Sequence, residues 1–121
     1  MAKCVASALH GIAPWARGAT CHGDTSDGCS LWKTGFTGIT GMEFGPDVSL
    51  YVADMIKGGL FGFFTAGDTV GALWRVKGAS KTELAPGELH VLADVAVDRN
   101  GTVYVTTGSV FPDGAVMRIN P

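Results

Sequence analysis

The densest gathering of reactive side chains is CHGDTSDGC, residues 21–29, which holds Cys21, His22, Asp24, Asp27 and Cys29. Zinc takes thiolate, imidazole and carboxylate ligands, but a zinc site wants paired thiolates or imidazoles at close, repeated spacing. Seven residues separate the two cysteines here, and no second pair follows. A plain polar loop is the favoured reading, ahead of a disulfide between Cys21 and Cys29 and of metal binding. The fragment DRNGT, 98–102, partly matches a calcium loop, yet the distal bidentate Glu of such a loop is missing. A hairpin turn explains Asn100 and Gly101 fully. His90 is an ordinary loop-end histidine. No Ser-His-Asp or Cys-His set has local support, and no glycine motif that cradles phosphate is present. No cofactor is expected, with calcium and zinc as the two ions worth testing. One further stretch is chemically distinctive: MIKGGLFGFFTAGDT, 55–69, carries Leu60, Phe61, Phe63 and Phe64 in what reads as a loop.

The elements that would position these residues are written twice. With Phe44 laid over Val97, FGPDVSLYV (44–52) matches VDRNGTVYV (97–105) at an offset of 53. Apolar residues coincide at Phe44/Val97, Leu50/Val103 and Val52/Val105, and Tyr51 coincides with Tyr104. The alternation has period 2, the signature of strands. Asn100-Gly101 between two such runs is a strong hairpin signal, since both turn residues reach positive φ in the favoured turn. The first copy has Val48 where the second has Gly101. A β-branched residue resists positive φ, so the first turn is expected to be wider or of another type.

The match then resumes at GALWRV (71–76) over GAVMRI (114–119), now at an offset of 43. The loop between the second and third strands is therefore ten residues longer in the first copy. Each copy reads strand, tight turn, strand, variable loop, strand. A fourth strand fits SKTELAP, 80–86, after the first copy. A period near 50 residues made of three or four antiparallel strands describes a propeller blade. The predicted fold is all-β: two antiparallel propeller-type blades, the first over about 33–89 and the second over about 90–121. Residues 1–32 lack alternation and are read as irregular, with a short helix at 3–10.

Composition narrows the class. The 121 residues fit one domain at most. Charged residues make 17% and hydrophobic ones 46%, which is core-rich material. A formal net charge of −2, with both signs scattered, offers no electrostatic footprint for nucleic acid or an anionic membrane surface. No stretch is apolar enough to cross a bilayer. CVASALHGIAPWA, near the N-terminus, is a poor secretory core because His10, Gly11 and Pro14 interrupt it. Propellers close with roughly four to eight blades, and this sequence offers two. It is expected to be part of a larger ring, a truncated product or one protomer that self-associates through bare blade faces.

GFTGITGMEFGPDVSLYVAD, then a Gly/Phe-rich loop and GALWRV, resembles the ScyD/ScyE family of β-propeller proteins, whose blades are similar to those of NHL-repeat and gluconolactonase-like propellers. LADVAVDRNGTVYVTTGSVFPDGAVMRI resembles the closing blade of that family. The resemblance covers residues 33–121 and departs at Val48, where the family usually has Gly. It implies a fold and an extracytoplasmic location, not a reaction. Gluconolactonase-like propellers hold a channel metal with several acids and amides, which draws notice to Asp94 at the start of one first strand and Asp54 at the end of a second strand. Gly41 stands where Asp94 would have its counterpart. The expected function is non-catalytic, a binding or scaffolding module for a small molecule or protein. The alternative is a fragment of a metal-dependent lactonase-like hydrolase. The candidate binding surface is Asp54, Phe61, Phe63, Phe64, Asp94 and Phe111, although core filling is the preferred fate of the four phenylalanines.

Overall fold

The computed structural model describes residues 3–6, 19–22 and 30–120. The chain is mostly β. Strands β1 (Lys3–Ala6) and β2 (Ala19–His22) form an antiparallel pair with Cys4 opposite Cys21. The helix expected at 3–10 is therefore not formed over Lys3–Ala6, where β-branched Val5 favours extended backbone. Residues 7–10 and 23–29 lie outside the described residues, so of the 21–29 stretch only Cys21 and His22 are placed, as strand at the end of β2, and the readings that need Asp24, Asp27 or Cys29 fall outside.

Two larger sheets follow, both antiparallel meanders. The first has the order β3 (Ile39–Phe44), β4 (Leu50–Asp54), β5 (Ala72–Lys77), β6 (Ser80–Leu84). The second has the order β7 (Val95–Val97), β8 (Val103–Thr107), β9 (Ala115–Ile119). Between β4 and β5, where a loop was expected, lies helix α1 (Leu60–Ala66). It ends on Gly67 at φ +70°, a left-handed cap that suits glycine.

The two hairpin turns are the same turn. Gly45 N–H donates to Ser49 O at 2.8 Å and Val48 N–H to Gly45 O at 3.0 Å; Asp98 N–H donates to Thr102 O at 3.0 Å and Gly101 N–H to Asp98 O at 3.0 Å. Every partner differs by the sequence offset of 53. Only the last turn residue is left-handed, Gly101 at φ +85° and Val48 at φ +67°. This corrects both turn expectations. Asn100 does not take positive φ, so the loop closes on one left-handed residue rather than two. Val48 does not widen the first turn. It accepts the strained conformation because Asp47 holds the turn from inside: its Oδ1 accepts Ser49 N–H at 3.1 Å, and its Oδ2 accepts the Arg75 guanidinium at 2.8 Å.

Alternation then sorts the side chains into two cores. Tyr51, Ala53 and Leu73 from the first sheet meet Val95, Val103 and Val105 from the second, with Leu89 and Leu92 from the connecting segment closing the layer. Leu50, Val52 and Val76 point the other way, where Phe36 and Ile39 cover them. The first sheet is thus buried on both faces, and the second on one. The sheets approach closely where β3 and β4 meet β7. Thr40 Oγ1 bridges them, donating to Leu92 O at 3.1 Å. Gly41 is required beside it: a Cβ there would lie 2.9 Å from Asp94 Cα, with the Asp94 carboxylate closer still.

Candidate functional site

Asp54 closes β4 and is only 2% exposed. Its position follows from register. Asp54 lies opposite Ala72 and Val52 opposite Trp74, so alternation puts Val52, Asp54 and Trp74 on one face with Asp54 diagonal to the indole. Trp74 Nε1–H donates to Asp54 Oδ2 at 2.9 Å, and Thr37 N–H donates to the same oxygen at 3.3 Å. Asp54 Oδ1 is buried with no hydrogen-bond partner. Burial pushes the carboxyl up from its ordinary 3.8 to about 6, against the opposing pull of Trp74, Thr37 and Lys81.

Lysines frame the indole. Lys81 Nζ lies 4.2 Å from the Trp74 ring centroid and 4.3 Å from that of Phe36, and it donates to Gly35 O at 2.7 Å. Lys57 Nζ sits 5.6 Å from the Trp74 centroid and pairs with Glu83 at 2.7 Å. Cations over an indole face are attracted by the ring quadrupole. The assembly ties the 35–37 segment and β6 to the end of β4. Asp54 serves here as an acceptor for an indole and an amide, inside a closed cluster.

Asp94 has a different setting. It is exposed, its Oδ1 accepts the N–H of Val95 at 2.8 Å, and its own N–H is held by Thr106 Oγ1 at 3.0 Å. Asp54 and Asp94 therefore engage different partners. Among the described residues, no group of three or more His, Cys, Asp or Glu is placed to hold a metal. Asp54 and Asp94, held by different partners, do not fit the channel-metal arrangement. His90 Nδ1 lies 3.0 Å from Thr69 Oγ1, a contact that ties the connecting segment down.

The phenylalanines do not fill the core, contrary to the preferred expectation. Helix α1 contains no buried residue. Phe61 is 82% and Phe64 77% exposed. Phe63 is half-buried, packing edge-on to Phe64 at a centroid distance of 5.2 Å and against Phe111 at 6.4 Å. The β4–β5 and β8–β9 connections thus meet at one end of the two sheets, as the matching strand orders require. Their reason for staying outside is geometric. Both faces of the first sheet are already covered, so a helix added between β4 and β5 has no apolar surface left to sit on. Beside Phe111 runs an open groove of about 500 Å³, lined by Thr106, Gly108, Ser109, Gly114 and Ala115 among others.

At the opposite end, the two hairpin turns enclose a polar cleft of about 330 Å³ that sequence reading missed. Pro46, Asp47, Tyr51, Arg75, Asn100 and Thr102 line it. Lys77 joins the Arg75 pair, 3.3 Å from Asp47 Oδ2. The Ser49 amide, then Arg75, hold the Asp47 carboxyl far below the usual range. The available signal was the Asp-x-Ser of the turn and the repeated Arg75/Arg118 position, but no local pattern says that two turns face one another.

Among the described residues, no helix is long and apolar enough to cross a membrane. No family model, curated protein or solved structure matches the chain.

Proposed function

We propose that the chain is a non-catalytic binding module whose two sheets are propeller-type blades of the ScyD/ScyE kind, and that α1 and Phe111 form its recognition surface. The repeat of strand order and turn hydrogen bonds at one offset supports the blade reading. One observation carries the binding reading: a seven-residue helix with no buried residue presents Phe61 and Phe64 to solvent at 82% and 77% exposure. Burying a phenylalanine is worth about 1.5–3 kcal/mol, and folding leaves that gain unused here. Clustered exposed aromatics mark interaction surfaces, and rings of this kind are common anchors in binding. The rim would take an apolar segment of a protein partner, with the groove beside Phe111 receiving its flank. The separate engagements of Asp54 and Asp94 favour this over a metal-dependent lactonase.

Selection of binders from a displayed random-peptide library tests the surface. Peptides rich in apolar residues should be enriched, and F61A/F64A should abolish their binding without changing urea stability by more than about 0.5 kcal/mol. Failure to enrich any peptide, or binding untouched by the double variant, rejects the assignment. Calorimetric titration with calcium and with zinc addresses the alternative, because saturable heat lost in D54N/D94N would favour the lactonase reading.

A further inference from the structure

Tyr51 and Tyr104 hold the same place in the repeat, 53 residues apart, but only one of them has a hydrogen-bond partner. The Tyr104 hydroxyl donates to Asp98 Oδ2 at 3.4 Å. The residue matching Asp98 in the first copy is Gly45, which has no side chain to accept from Tyr51. A Cβ at Gly45 would lie 3.0 Å from Tyr51 Cε2, so the glycine also makes room for the ring. Tyr51 is 2% exposed and belongs to the inter-sheet core. A polar group so buried is ordinarily paired. Among the described residues the Tyr51 hydroxyl has no partner, yet it is not one of the fully enclosed orphan atoms, which are Asp54 Oδ1 and Glu83 Oε2. It opens into the cleft of about 330 Å³ between the two hairpin turns, which Tyr51 lines. Burial raises the Tyr51 pKa above its ordinary 10.0, while Arg75 pulls it down and Asp47 pushes it up, so both charged walls of the cleft reach the hydroxyl.

We propose that this cleft binds a small neutral polyol, of monosaccharide size, with the Tyr51 hydroxyl as its buried anchor. The walls select the class. Their two charges cancel, since Arg75 Nη2 donates to Asp47 Oδ2 at 2.8 Å and Arg75 Nε to Ser49 Oγ at 3.2 Å. An anion would have to compete with Asp47 for the guanidinium. The groups left over are the Tyr51 hydroxyl, the Thr102 hydroxyl and the Asn100 side-chain amide, all on the cleft and without a hydrogen-bond partner among the described residues. Each of them both donates and accepts, and so does every hydroxyl of a polyol, whereas a carboxylate only accepts. Pro46 adds an apolar wall for the C–H groups of a ring. The volume suits a small ligand, at the low end of the roughly 300–1,000 Å³ of small-molecule sites. The cleft lies at the opposite end of the sheets from Phe61 and Phe64, and the inference does not depend on the rim-surface reading.

Amide NMR shifts of the isotope-labelled 121-residue chain, titrated separately with glucose, mannose and myo-inositol, test it. At least one of the three should shift the amides of Gly45, Ser49, Gly101 and Thr102 saturably. Y51F, which removes only the anchoring hydroxyl, should weaken that binding by about fivefold or more. T102V should weaken it too. Y51F should leave the urea midpoint unchanged, because no hydrogen bond within the protein is lost. A fall in that midpoint would reveal an internal partner for the hydroxyl and overturns the proposal. So does the absence of saturable shifts with all three polyols, or binding indifferent to either variant. Acetate that shifts the same amides at lower concentration than any polyol also overturns it, since the cleft would then be an anion site.

Discussion

Replacing Asp54 by asparagine should change how stability depends on pH, in a window that can be worked out beforehand. Burial raises the folded-state pKa of Asp54 to about 6 from 3.8. A raised folded pKa means that the native state binds more protons than the unfolded chain between those values. Its contribution is fully present below about pH 4, is lost as pH rises through about 6, and stays lost at neutral pH. A shift of roughly two units corresponds to about 3 kcal/mol. In D54N the side-chain oxygen still accepts from Trp74 and Thr37, where Asp54 Oδ2 does so now. The amide nitrogen would take the place of the unpartnered Oδ1, at a cost of about 1–3 kcal/mol that does not vary with pH. Urea unfolding followed by tryptophan fluorescence, repeated from about pH 4 to about pH 7, reads the difference. The wild type should lose up to about 3 kcal/mol across that range relative to the variant. Asp47 does not confuse the measurement. Its carboxyl is held low by the Ser49 amide and Arg75, so its contribution is present above pH 3.8 and lost only as pH falls below that. Parallel stability curves for wild type and D54N would show that no proton is taken up at this carboxyl on folding.

Two backbone predictions follow from the repeat. Val48 at φ +67° is 72% exposed, so V48G relieves a left-handed β-branched residue while losing little burial. It should raise unfolding stability by about 1 kcal/mol, the roughly 1–2 kcal/mol of strain less the entropy of glycine, and a fall in the urea midpoint would contradict this. G41A drives a methyl group into the backbone of Asp94, 2.9 Å from its Cα. It should cost about 1–3 kcal/mol by overpacking, and an unchanged thermal midpoint would mean that the sheets are free to separate there.

The strands were readable because their signal is local. Alternation at Leu50, Val52, Val103 and Val105, and the paired GALWRV and GAVMRI, are properties of adjacent residues, and backbone pleating converts them directly into which side chains share a face. The same holds for β6, announced by a short polar-apolar run after a turn. The Val48 turn was misread because residue preference is a small energy, and the flanking strands with the Asp47–Arg75 pair outweigh it. The fate of the phenylalanines was not local at all. Whether Phe61 is buried depends on whether any sheet face remains uncovered, and that is decided by Phe36, Ile39, Leu89 and Leu92, far away in the chain. Asp54 was visible as an acid at a strand end, but its partners lie 17 and 20 residues away. By itself, then, the sequence determined the strands of the two larger sheets and their duplication, because these follow from side chains a few residues apart; β1 and β2, which lack such alternation, escaped it. The closeness of Gly41 to Asp94, the closed cluster around Asp54 and the exposed aromatic rim were decided only when the two sheets packed, since each depends on which surfaces the fold covers and which it leaves.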